Sequence, residues 1–117
     1  MTHLSKKTCT ACRPGAPLAT EEEIIAFLPQ IPLWQMVEFD TIKRLTRTYD
    51  FKNFAEAIAF TNRVGDLAES EAHHPALLTE WGSVTVSWWT HKIKGLHVND
   101  FIMAAKTDEL EKGASQK

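Results

Sequence analysis

The chain has 117 residues, of which 44% are hydrophobic and 24% charged, proportions close to globular averages and unlike disordered, collagen-like or disulfide-scaffold chains. That length suits one domain whose core needs no metal or disulfide staple. Thirteen Lys and Arg against fifteen Asp and Glu leave a formal charge of −2, which gives no basic field for phosphate backbones or anionic lipid, and no apolar run approaches the roughly 20 residues of a membrane helix.

Residues 1–19 read as a flexible tail. Lys6, Lys7 and Arg13 lie there without the apolar segment of a secretory signal, so a cytoplasmic location is expected. Cys9 and Cys12 form a C-x-x-C with His3 nearby, but no second pair completes a zinc site, and reduced thiols are the expectation. Residues 20–112 read as the folded domain and 113–117 as a short C-terminal tail.

Thr20 followed by Glu23 makes a T-x-x-E capping box, so a first helix starts there. Ile24, Ile25, Phe27 and Leu28 supply its apolar face, and Pro29 with Pro32 ends it. Trp34–Val37 and Ile42–Phe51 are rich in β-branched and aromatic residues, with Leu45, Tyr49 and Phe51 at even spacing, which predicts a hairpin turning near Asp40. Lys43, Arg44 and Arg47 are expected mostly in water. Asn53 and Glu56 open a second capping box, after which Phe54, Ala57, Ile58, Thr61, Val64, Gly65 and Ala68 follow helical spacing until Pro75 stops the helix. A second hairpin is predicted from Leu77–Trp81 and Ser83–His91, joined at Gly82, with Val84, Val86 and Trp88 on one face. Trp81, Trp88 and Trp89 are expected in the core. A last helix runs from about Asn99, as cap, through Leu110, with Asp100 at its positive end. The order helix-strand-strand-helix-strand-strand-helix predicts an α+β fold, one antiparallel four-stranded sheet covered by helices.

Of five histidines, three occupy informative places: His73 and His74 at a helix end, and His91 at a strand end. Alone, the pair is most simply a surface feature favoured by the helix dipole. No H-x-x-x-H or H-E-x-x-H spacing supports a metal, and no glycine-rich phosphate loop or G-x-S-x-G elbow is present, which leaves imidazole acid–base chemistry as the favoured reading. His3 and His97 are expected to be dispensable.

The run Glu69-Ser70-Glu71-Ala72-His73-His74-Pro75, then Trp81, His91, Gly95-Leu96 and Asp100, resembles the signature of the pterin-4a-carbinolamine dehydratase family, over roughly residues 20 to 110. The resemblance implies removal of water from 4a-hydroxytetrahydropterin, in recycling the cofactor of aromatic amino-acid hydroxylases such as those of phenylalanine hydroxylation. It implies catalysis by His73, His74 and His91, with Glu69, Pro75, Thr90, Lys92, Ile93 and Asp100 at the substrate. His73 and His91 are the expected proton-transfer pair and His74 the residue that holds the pterin. Glu69 and Asp100 would bind the substrate or orient imidazole. Neither a metal nor another cofactor is expected. The implied partners are the pterin and further copies of the chain, as homodimer or homotetramer, with no direct nucleic acid and no membrane. The runner-up is a protein-binding, dimerisation module acting as a transcriptional coactivator, because one animal family member also stabilises dimers of a homeodomain transcription factor.

Overall fold

The computed structural model describes residues 18–115, so Cys9, Cys12 and His3 lie outside the described residues. Its elements are α1 (Glu21–Phe27) with a 3-10 turn (Leu28–Gln30), β1 (Gln35–Phe39), β2 (Ile42–Asp50), α2 (Phe54–Glu71), β3 (Ala76–Glu80), β4 (Ser83–Trp88), a 3-10 turn (His91–Ile93) and α3 (Val98–Ser115). The strands form one sheet in the order β1-β2-β4-β3, antiparallel throughout. The predicted α+β order is the observed one.

Local chemistry accounts for most boundaries. The Thr20 hydroxyl accepts the Glu23 amide and the Glu23 carboxylate accepts the Thr20 amide, so the expected box is present. Asn53 accepts the Glu56 amide, but the Glu56 carboxylate reaches one residue further back, to the Lys52 amide. The first hairpin turns at Asp40-Thr41, both left-handed (φ 54° and 64°), as a two-residue connection of right-twisted strands requires. Helix α2 ends at Ala72, itself left-handed, with the His73 amide on the Ala68 carbonyl.

Pleating puts Leu45 and Tyr49 of β2 and Val84, Val86 and Trp88 of β4 on one face, all buried, under α2 and α3. The buried stripe of α2 is Ala57, Phe60, Val64 and Ala68. Phe60 is its centre, with ring centroids 4.7 Å from Tyr49 and 5.1 Å from Phe51. The expected stripe members Phe54 and Ile58 are exposed, since the helix is rotated to seat Phe60 on the sheet.

Other expectations need correction. Ile25 and Trp81 are exposed: α1 turns Ile24 and Phe27 toward the core, with Phe27 against Phe101 of α3, which leaves Ile25 outside, and Trp81 occupies the tip of the second hairpin. Arg47 does not face water; it points to the covered face and pairs with Asp108 of α3 at 2.6 Å, where Trp34 Nε1 (2.9 Å) and the Tyr49 hydroxyl also donate. Arg44 is half-buried between aromatic rings. His91 is not part of β4, which ends at Trp88; it opens the following 3-10 turn. The last helix begins at Val98, so Asn99 lies inside it and His97 provides the cap. It continues to Ser115, beyond the expected Leu110.

Candidate active site

The centre of the site is a carboxylate buried by helix capping. Asp100 sits in the first turn of α3, where a negative charge is stabilised, and its Oδ2 accepts the His97 amide at 2.9 Å while the His97 Nδ1 accepts the Asn99 amide at 3.0 Å. The same Oδ2 accepts the Thr90 hydroxyl at 2.8 Å, and Oδ1 contacts His73 Nε2 at 2.6 Å. His73 is 4% exposed and Asp100 fully buried. A buried carboxyl oxygen held by this many donors against one imidazole nitrogen holds the orientation of that ring.

A second restraint on His73 is Trp88 at the end of β4: the rings are nearly parallel, with centroids 5.7 Å apart and planes 6° apart. Left-handed Ala72 turns the chain between Glu71 and His73, so His73 enters the core while His74 points to solvent. His74 Nε2 contacts the Glu69 carboxylate, and both side chains are exposed.

The third segment follows β4. Thr90 and Gly95 pair across their backbones (2.8 Å from the Thr90 amide to the Gly95 carbonyl) and close the loop that carries His91. A Cβ at Gly95 would lie 2.7 Å from the end of the exposed Leu18 side chain, so a larger residue there would displace Leu18. His91 is exposed, with its ring 4.3 Å from Trp89, and the Arg44 guanidinium carbon lies 4.0 Å from the centre of the same indole.

His73 and Thr90 both end on Asp100, and each is followed in the chain by an exposed histidine, His74 and His91. Asp100 therefore ties together the two segments that carry all three expected catalytic residues. Pro75 starts the departure toward β3, and Ile93 is half-buried in the 3-10 turn. Lys92 lies in that turn, between His91 and Ile93. Thr90 is only 1% exposed and its hydroxyl is engaged, so it and Asp100 lie beneath the site surface. A separate concavity of about 320 Å³, lined by Leu33, Gln35, Thr46, Arg47 and Thr48, contains none of the expected site residues and no acid–base pair. Among the described residues no group of three or more His, Cys, Asp or Glu can hold a metal, and no helix is long and apolar enough to cross a membrane.

This arrangement pairs an oriented imidazole with two accessible ones in a fold of three helices on a four-stranded sheet. The family model described as pterin 4 alpha carbinolamine dehydratase matches residues 17–110. The chain belongs to this family. It is 67% identical over 110 residues to a protein of Syntrophotalea carbinolica provisionally named pterin-4-alpha-carbinolamine dehydratase, covering 94% of this chain and 98% of that one. A Nitrosococcus oceani protein of the same provisional name is 60% identical over 112 residues, covering 96% and 99%. Among solved structures, the transcriptional coactivator/pterin dehydratase of Brucella melitensis superposes with a TM-score of 0.71 at 30% identity, covering 80% of this chain and 98% of that one.

Within that dehydratase framework, residues that the sequence reading missed stand beside the expected ones. Trp88 and Trp89 read as ordinary strand aromatics, yet each contacts a motif histidine, on opposite faces of the sheet end. The signal was their adjacency, since consecutive strand residues face opposite ways. His97 carried no motif, and its cap is visible only in the reciprocal pattern with Asp100 three residues later.

Proposed function

We propose that this protein dehydrates 4a-hydroxytetrahydropterin to quinonoid dihydropterin and water, a lyase reaction carried by histidine acid–base chemistry. The observation that supports this most is the Asp100 junction, which orients His73 and sets His74 and His91 one residue away on either side. In the reaction the C4a–O bond breaks with its electron pair leaving on oxygen, an acid protonates that oxygen as water forms, and a base removes the N5 proton so that the N5 electrons form the C4a=N5 bond. Nothing is oxidised or reduced.

His91, exposed and held against Trp89, and His73, oriented by Asp100, are the proton-transfer pair in this reading. His74 with Glu69 holds the pterin at the surface. Pro75, Lys92 and Ile93 border the substrate, whereas Thr90 and Asp100 act from below by fixing His73. Such positioned transfer contributes about 10² to 10⁴ in rate. The cellular role that follows is cytoplasmic recycling of the pterin used by an aromatic amino-acid hydroxylase, by a homo-oligomer of this chain.

The test is a dehydration assay in which chemically generated 4a-hydroxytetrahydropterin decays with and without purified protein. Acceleration that disappears in a folded His73→Gln, His91→Ala double variant is the expected result. Decay at the uncatalysed rate with the wild-type protein overturns the proposal.

A further inference from the structure

Arg44 stands between two aromatic rings. It projects from β2 to the face of the sheet that no helix covers, where its guanidinium lies 4.8 Å from the centre of the Phe39 ring and 4.0 Å from that of Trp89. Two aromatic rings lie within cation–π distance of the guanidinium. Among the described residues no carboxylate pairs with it, unlike Arg47, which pairs with Asp108. Its Nε is buried without a hydrogen-bond partner among those residues, a condition that native proteins rarely leave unexplained.

The planar guanidinium carries its donors in one plane, the geometry that matches a carboxylate or phosphate through two parallel hydrogen bonds. Its place relative to the site is equally defined. The indole of Trp89 contacts Arg44 and His91, so the cation stands one aromatic ring from the histidine proposed to handle a proton at the reacting bond. In a pterin that bond joins C4a to N5, and N5 is bonded to C6, the carbon that bears the substituent by which natural pterins differ. A substrate with its C4a–N5 edge at His91 therefore carries its C6 substituent on the atom next to N5, and Arg44 is the cation that shares the Trp89 ring with His91.

We propose that Arg44 is a specificity-determining residue that receives an anionic substituent, a carboxylate or phosphate, carried at C6 of the bicyclic substrate. The proposal rests on the dehydratase reading, because it takes the reacting edge to lie at His91. Phe39 and Trp89 hold the guanidinium in place, and the anion supplies the counter-charge that it lacks among the described residues.

The experiment compares two probes that differ only at C6, 6-methyl-7,8-dihydropterin and 7,8-dihydropterin-6-carboxylate, by calorimetry on the full chain, alongside the dehydration assay. Wild type is expected to bind the carboxylate at least ten-fold more tightly, with the preference shrinking as salt rises. R44Q should erase the preference while leaving the methyl compound within two-fold, and R44K, which keeps the charge but not the planar fork, should restore only part of it. Equal binding of the two probes by wild type, or a preference that survives in R44Q, overturns the proposal. If dehydration proceeds while the probes bind equally, Arg44 alone is misassigned; if neither probe binds and dehydration is absent, the dehydratase reading falls and the Arg44 proposal falls with it.

Discussion

At the scale of single residues, burial separates the three motif histidines and makes their substitutions distinguishable. His91 is exposed and makes a ring contact, so His91→Ala should remove chemistry with little loss of structure: kcat falls by about 10² or more, with a circular dichroism spectrum like wild type. His74 shares an exposed contact with Glu69, and His74→Ala should raise KM at least as much as it lowers kcat. His73 differs, because its removal strips a partner from a fully buried carboxylate and opens space beneath Trp88. His73→Ala should therefore cost about 3 kcal/mol of stability, whereas His73→Gln, which can still donate to Asp100, should fold and lose turnover. Urea unfolding of the pair decides this, and an Ala variant as stable as wild type would refute the account of Asp100. The motif histidines were legible in the sequence because their type and spacing carry the resemblance. Their difference in burial was not, because it depends on Ala72 adopting a left-handed conformation that sends two adjacent side chains opposite ways.

At the scale of elements, the capping signals and strand alternation of the sequence correspond to real boundaries, since both are local: Thr20 with Glu23, the Asp40 turn, and Val84, Val86 and Trp88 on one face. What was not legible is long-range polar pairing. Arg47 and Tyr49 looked like one surface and one core residue, yet they share the Asp108 carboxylate, 61 and 59 positions away. Burial and the neighbouring Asp108 charge both raise the Tyr49 pKa above that of free tyrosine. In the unfolded chain this phenol ionises near pH 10, while in the folded protein it keeps its proton, so above that pH the folded state binds more protons and stability falls as pH rises. Chemical unfolding at pH 8, 10 and 11 should show a loss approaching about 1.4 kcal/mol per pH unit beyond pH 10, and Tyr49→Phe should lack that component. The first hairpin offers an independent test. Asp40 and Thr41 both hold positive φ, which costs a β-branched Thr most, so Asp40→Asn with Thr41→Gly should stabilise the protein by about 1 kcal/mol in thermal unfolding. The cap of α3 is a third: His97, expected to be silent, should cost about 1 kcal/mol as His97→Ala.

At the scale of the whole molecule, the helices cover one face of the sheet and leave the other open. Its centre is polar, with Thr46 hydrogen-bonded to Ser87 and Thr48 to Thr85 across β2 and β4, but its flanks are apolar, with Phe39 on β1 62% exposed and Leu78 on β3 57% exposed. The sheet also ends on both sides in strands, β1 and β3, whose outer backbone groups have no partner strand among the described residues. Exposed apolar flanks and open strand edges in a chain of 13.2 kDa are features that association of identical copies relieves, and closed two-fold symmetry is its commonest form. The expected species is therefore a dimer or a tetramer. Light scattering coupled to gel filtration at micromolar concentration checks this directly, and a mass of 13.2 kDa would refute it. Leu78→Arg and Phe39→Arg then report which flank takes part, since a charge placed in a buried contact should shift the mass toward monomer, while the same charge on a free surface should leave it unchanged. Phe39 also flanks Arg44, so its variant should be read by mass and by probe binding together. A variant that dissociates yet keeps full turnover would show that each copy carries a complete site.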